Sequence, residues 1–323
     1  MLIHDRPTPA FLLPIAGGVW LALSSVATPA SDSAMPRAQR TVQLPGQQHD
    51  DELTQLRRNA ERGDRHAQFS LGLIYEAGEG ISRDDAQSAE WYQKAADQGH
   101  PQAQYHLGLM YVDGRGRARD NATGVRWFRQ AADNGLAEAQ YAMGLASASG
   151  RGVPKDDVKA YAWYRQAAEQ GLAPAQFSLG TMYHQAKGVP QSFTQAIQWY
   201  RKAAAQGDAN AQYELGVMFR NGEGVTRDDA EAAKWYGRAA EQGHAGAQFS
   251  LGLCLRDGQG VSQDLVKAHV WLALAATRAS DESQRATYAA ARDALEAGMT
   301  SEQLSAARER QRWWVESFDR RTK

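Results

Sequence analysis

The stretch Ala211-Gln212-Tyr213-Glu214-Leu215-Gly216-Val217-Met218, followed by Gly222-Glu223-Gly224-Val225, Asp228-Asp229, Ala232, Trp235-Tyr236 and Ala239-Ala240, decides the fold, because it recurs. Its Ala-Gln pair stands also at Ala67-Gln68, Ala103-Gln104, Ala139-Gln140, Ala175-Gln176 and Ala247-Gln248, in steps of 36 residues. Leu/Met-Gly, Trp and Ala-Ala recur in the same register, with the tryptophans at Trp91, Trp127, Trp163, Trp199, Trp235 and Trp271. A fixed period without insertion is the signature of a stacked-repeat architecture.

Each copy reads as two antiparallel helices. In the third copy Ala139, Met143, Gly144 and Ser147 share one face of a helix over about 137–148. Gly150-Arg151-Gly152-Val153-Pro154 breaks it. Asp156 supplies a carboxylate for the orphan N–H groups of the next helix. On that helix Ala160, Trp163, Tyr164, Ala167 and Ala168 form an apolar stripe, and Gly171 ends it. The small residues leave hollows that Trp and Tyr are large enough to fill. One copy cannot bury this surface alone, so the copies must stack.

These residues resemble the Sel1-like repeat family of tetratricopeptide-like solenoids. The resemblance covers about Gly63 to Ala279. It implies an all-α fold: a right-handed α/α superhelical solenoid of six 36-residue helix pairs with helical caps. The expected copies are 63–98, 99–134, 135–170, 171–206, 207–242 and 243–279. A capping helix over 50–62 precedes them, and capping helices over 280–323 follow. The fourth copy departs, with Ala186-Lys187-Gly188 for Gly-x-Gly and Ser192 for the capping Asp, so a distorted loop is expected there. Gly298 should end a helix over about 282–297. Thr300 and Gln303 form a capping box for a helix over about 301–318. Trp313 and Trp314 are expected to seal the last copy.

Residues before the repeats read differently. The apolar run Phe11–Leu23 follows a weakly basic start and precedes Ser24-Ser25-Val26-Ala27-Thr28-Pro29-Ala30. That is the order of a secretory signal peptide, assigned to 1–30, with cleavage after Ala27 or Ala30. The run is short for a membrane span and is loosened by Pro14, Gly17 and Gly18. The Ser-, Pro-, Ala- and Gln-rich segment 31–49 reads as a flexible linker. A periplasmic or secreted protein is expected, with no stable membrane span after cleavage.

Composition narrows the function. Hydrophobic residues at 43% and charged residues at 23% exclude a chain disordered throughout. With 36 basic and 37 acidic residues the chain has no field with which to bind nucleic acid. The single cysteine, Cys254, excludes an internal disulfide, and its place among Ile74, Met110, Met182 and Met218 makes it a core residue. The eight histidines hold no H-E-x-x-H or i, i+4 pair, so neither metal nor cofactor is expected. His100 and His244 share a repeat-junction position and are expected to face solvent. There is no S-x-x-K or G-x-S-x-G arrangement, and Gly78-Glu79-Gly80 with its copies makes helix-connecting turns.

A scaffold position repeats its residue, whereas a position serving a ligand varies. Two first-helix columns vary: Ser70, His106, Ala142, Ser178, Glu214, Ser250; and Glu76, Val112, Ala148, His184, Arg220, Arg256. Beside them run Phe69, Tyr105, Tyr141, Phe177, Tyr213 and Phe249, which either pack between copies or turn the Tyr105, Tyr141 and Tyr213 hydroxyls into a groove. First helices line the concave face of such solenoids. The candidate partner-binding residues are therefore Tyr105, His106, Tyr141, His184, Tyr213, Glu214, Arg220 and Arg256. The expectation is an exported, non-enzymatic adaptor that holds another protein or peptide in its concave groove. A scaffold for cell-wall or polysaccharide assembly is the alternative. A β-lactam-binding hydrolase is the lesser one, since the relatives that suggest it carry cysteine-rich repeats.

Overall fold

The computed structural model describes residues 45–322. The signal-peptide and cleavage assignments, and most of the assigned linker, lie outside these residues. Helix α1 (Pro45–Glu61) begins five residues ahead of the expected cap, inside the stretch read as linker. Six helix pairs follow. The first helices are α2 (Arg65–Ala77), α4 (Pro101–Asp113), α6 (Ala137–Ser149), α8 (Ala173–Gln185), α10 (Ala209–Asn221) and α12 (Ala245–Asp257). The second helices are α3 (Asp85–Asp97), α5 (Asn121–Asp133), α7 (Asp157–Glu169), α9 (Phe193–Ala205), α11 (Asp229–Glu241) and α13 (Leu265–Arg278). Helices α14 (Glu282–Glu296) and α15 (Ser301–Thr322) close the stack. The described residues contain no strand.

Local chemistry sets each boundary. Asp84, Asp120, Asp156, Asp228 and Asp264 accept backbone N–H bonds at the starts of their second helices. First helices end on left-handed Gly78, Gly114, Gly150, Gly222 and Gly258. The fourth copy keeps this geometry without a glycine: Ala186 takes φ 56° and ψ 38°, and its N–H donates to Met182 O. The expected distortion is absent, and Ser192 Oγ caps α9 by accepting from Gln195 N at 3.3 Å. The cost falls on Ala186 itself, whose Cβ crowds the following carbonyl in this conformation.

Tyrosine, rather than tryptophan, fills the hollow within each pair. A Cβ on Gly72, Gly144, Gly180 or Gly216 would overlap the ring of Tyr92, Tyr164, Tyr200 or Tyr236. Phe128 does this over Gly108, and Leu272 over Gly252. The tryptophans are half-buried and serve the joint between copies instead. Trp127 packs on the cluster around Tyr92, Trp163 on the one around Phe128 and Trp199 on the one around Tyr164.

A glutamine ladder ties the copies together. Gln68, Gln104, Gln140, Gln176, Gln212 and Gln248 are buried, and each Nε2 donates to the carbonyl of Ala60, Ala96, Ala132, Ala168, Ala204 or Ala240. The Oε1 of Gln68, Gln140, Gln176 and Gln212 accepts from Gln98, Gln170, Gln206 and Gln242 at 2.7–2.8 Å. Asn134 does the same for Gln104. The next residue in that series is Arg278, and Gln248 Oε1 has no partner. Arg278 instead lies 4.6 Å over Trp314 and 4.4 Å over Phe318 of α15.

The two terminal tryptophans divide their roles. Trp314 is buried against Val270 and Leu274, while Trp313 is 62% exposed, so only Trp314 seals the last copy. On a helix the two adjacent side chains point about 100° apart, and only one can face the stack. The capping box at α15 is present, with Thr300 N donating to Gln303 Oε1 at 2.9 Å and Gln303 N to Thr300 Oγ1 at 3.2 Å. Helix α14 ends on Ala297 in right-handed geometry, so Gly298 is not its left-handed terminator.

Candidate partner-binding face

The eight candidate residues stand on successive first helices, so they form a row along the stack and do not converge on one centre. Tyr105 is buried, 5.6 Å from Phe128 between ring centroids, and burial raises its hydroxyl pKa. Tyr141 is half-buried over Tyr164 at 5.6 Å, and burial pushes its pKa up too. Tyr213 is half-buried, stacked on His244 at 4.6 Å and tilted over Tyr236 at 5.8 Å. The aromatic column therefore packs on other rings, within a copy at Tyr105 and Tyr141 and across to the next copy or cap at Phe69 on His100, Tyr213 on His244 and Phe249 on Tyr288.

The charged candidates are half-exposed and already organised. His106 belongs to a cluster around Glu76. Its Nδ1 lies 3.3 Å from Glu76 Oε2, Tyr92 Oη donates to the same oxygen at 2.6 Å, and Arg115 Nη1 donates to Oε1 at 2.8 Å. Burial works to raise the Glu76 pKa, but the bonds from His106, Tyr92 and Arg115 outweigh it and hold the pKa at about 2. His184 Nε2 lies 2.8 Å from Glu223 Oε2, which reverses the polarity of the Glu76–Arg115 pair at equivalent positions. Arg256 pairs with its neighbour Asp257 at 2.7 and 2.8 Å. Arg220 stands near that pair and beside Tyr236 and Cys254. Burial first, and then the charge of Glu214, raise the pKa of Tyr200.

Two histidines expected at the surface are helix caps. His100 is buried, and its Nδ1 accepts from Ala103 N at 3.3 Å; His244 Nδ1 accepts from Ala247 N at 3.0 Å. Accepting there fixes the tautomer, since Nδ1 must be unprotonated. His100 Nε2 then donates to His66 Nδ1 at 3.2 Å. The signal was in the sequence, because the same column holds Asp64 and Asp208, which cap α2 and α10.

Cys254 is buried, and burial raises its thiol pKa, consistent with a core residue. Among the described residues no three His, Cys, Asp or Glu side chains gather at metal-binding distance. No helix of the described residues is long and apolar enough to cross a membrane.

The family model for the Sel1 repeat matches residues 65–100, 101–136, 137–172, 173–208, 209–244 and 245–280. A solved Sel1 repeat protein from Oxalobacter formigenes is 30% identical, with a TM-score of 0.62 over 72% of this chain and 97% of that one. A protective antigen of uropathogenic Escherichia coli, described as displaying an SLR fold, is 27% identical over 81% of this chain and 86% of its own, with a TM-score of 0.36. An immunity protein of Pseudomonas aeruginosa is 22% identical over 70% of this chain and 81% of its own, with a TM-score of 0.38. Among curated proteins no match is found.

Proposed function

Because this chain belongs to the Sel1 repeat family, we propose that it is an exported protein-binding scaffold whose partner lies along the first-helix face. One observation carries the reading. Residues that hold the stack together recur copy after copy, while half-exposed positions on the same helices change sign and size: Glu76, His106, His184, Glu214, Arg220 and Arg256. Ion pairs across copies engage Glu76, His106 and His184, yet the scaffold does not require a charge there, since Val112, Ala142 and Ala148 stand at equivalent positions, and a graded row of charges suits one particular partner. The aromatic column is engaged with neighbouring rings, so the charged positions are the ones to test. Export rests on the apolar run Phe11–Leu23 and the small residues after it.

The test is affinity for a partner recovered by crosslinking from the exporting cell. Arg220→Ala/Arg256→Ala should weaken binding by about 2 kcal/mol or more, as loss of arginine hot spots does. Helical circular dichroism should be unchanged, because both side chains are half-exposed. Wild-type affinity in this variant contradicts the face assignment. Mass spectrometry of the exported protein should show a start near Thr28 or Ser31, and an intact Met1 there contradicts cleavage.

A further inference from the structure

The loops joining first to second helices differ in how their cations are neutralised. In the first copy Arg83 makes a two-point ion pair with Asp85, both bonds at 3.0 Å. In the fifth, Arg227 and Asp229 repeat it at 3.1 and 2.9 Å. The equivalent arginine of the second copy is Arg119, and the residue two further on is Asn121, which has no charge. A second device is the Arg115–Glu76 bond across copies at 2.8 Å. One copy later the same two positions hold Arg151 and Val112, and one later still Lys187 and Ala148. Apart from Arg115, the middle loops lack this compensation: Arg119 has Asn121 where the acid stands elsewhere, and among the described residues Lys155 makes no ion pair with Asp157.

The result is a ridge bearing Arg115, Arg117, Arg119, Arg151, Lys155 and Lys187. Arg119, Lys155 and Lys187 are exposed, and their side chains have no ion-pair or hydrogen-bond partner among the described residues. Arg117 keeps a buried Nε without a partner, and Arg151 makes contacts of its own. Most nearby acids are engaged: Asp120 and Asp156 cap their helices, and Asp113 lies 3.6 Å from Arg115. Asp157 offsets one charge. On a chain of net charge −1 this excess is local. The ridge is continuous, because a Cβ on Gly116, Gly152 or Gly188 would overlap the carbonyl of Asp85, Asn121 or Asp157 in the preceding copy. Val158, 65% exposed, adjoins the loop of Lys187 at the start of α7.

We propose that the loop edge of copies two to four is a docking surface for an acidic protein segment that runs along the stack. Neighbouring copies place equivalent cations roughly 9 Å apart, the spacing of packed helices. An extended chain advances about 3.3–3.6 Å per residue, so a carboxylate at every third position meets each cation in turn. Val158 gives an apolar residue of such a segment a place to rest, which a sugar–phosphate backbone would not use. This surface is separate from the first-helix face and does not depend on it.

The experiment is fluorescence anisotropy of the full chain with a synthetic peptide carrying Asp or Glu at every third position and Leu between. Its Asn/Gln analogue and an oligonucleotide of equal charge serve as competitors. Wild type should bind the acidic peptide, more weakly as salt rises. Arg119→Glu/Lys155→Glu/Lys187→Glu should lose about tenfold or more in affinity, as reversal of several contacting charges does. A matched reversal on the second helices, Arg165→Glu/Arg201→Glu/Lys234→Glu, should lose less than about threefold, because exposed charges elsewhere act only at long range. Arg220→Ala/Arg256→Ala should bind the peptide as wild type does, which separates this proposal from the first-helix reading. Absence of binding by wild type, equal binding of the Asn/Gln analogue, equal loss in the two reversal variants, or tighter binding of the oligonucleotide overturns it.

Discussion

At the residue scale, small departures from the repeat carry the most information. Ala186 occupies a left-handed position that glycine holds in the other copies. Ala186→Gly should therefore stabilise the protein by about 1 kcal/mol, read by urea denaturation, because it removes the Cβ contact. His100 is the second case. Burial first, then the nearby His66 and Arg65, lower its pKa from the usual 6.5. A base with a lowered folded-state pKa binds fewer protons folded than unfolded, so its contribution is full above about 6.5 and is lost as pH falls. Denaturation at pH 7.5 and pH 5 should show that loss, and His100→Asp, the cap type found at Asp64 and Asp208, should reduce it. An unchanged pH dependence in the variant would assign the loss to other groups. These roles were only partly legible. The column of His100 contained the Asp caps, but histidine is an uncommon cap and gave no signal alone. The partner of Glu76 lies 39 residues away in the next copy, a relation that only the folded stack displays.

At the element scale, the helix pair was legible because its period, turn glycines and capping carboxylates agree. Which aromatic faces inward was not. Trp163 and Tyr164 are adjacent on one apolar stripe, and the stripe does not say which ring meets Gly144 and which meets the preceding copy. Tyr164 is the one over Gly144, and Trp163 is half-buried beneath Arg129 at 5.1 Å. Tyr164→Ala should cost about 3–5 kcal/mol, as large aromatic truncations in cores do. Trp163→Ala should cost less, because its ring keeps one side to solvent. Equal losses in the two variants would mean that the ring between copies matters as much as the ring within one.

At the scale of the whole molecule, stability is a sum over copies and the joints between them. The glutamine ladder and the tryptophans form the joints, while α1, α14 and α15 cover the ends. Trp314→Ala should raise hydrogen exchange in α13 and α15 and spare the middle copies, whereas Tyr164→Ala should raise it from the centre outward. The architecture that gives this independence also fixes the varied first-helix positions in a row. The most direct test of the central claim is photo-crosslinking with a reactive amino acid placed singly at 106, 184, 220 and 256, and at second-helix positions 165, 201 and 234. The account predicts one partner of constant mass captured from the first-helix positions and not from the second-helix ones. Capture from the second-helix positions alone would contradict it.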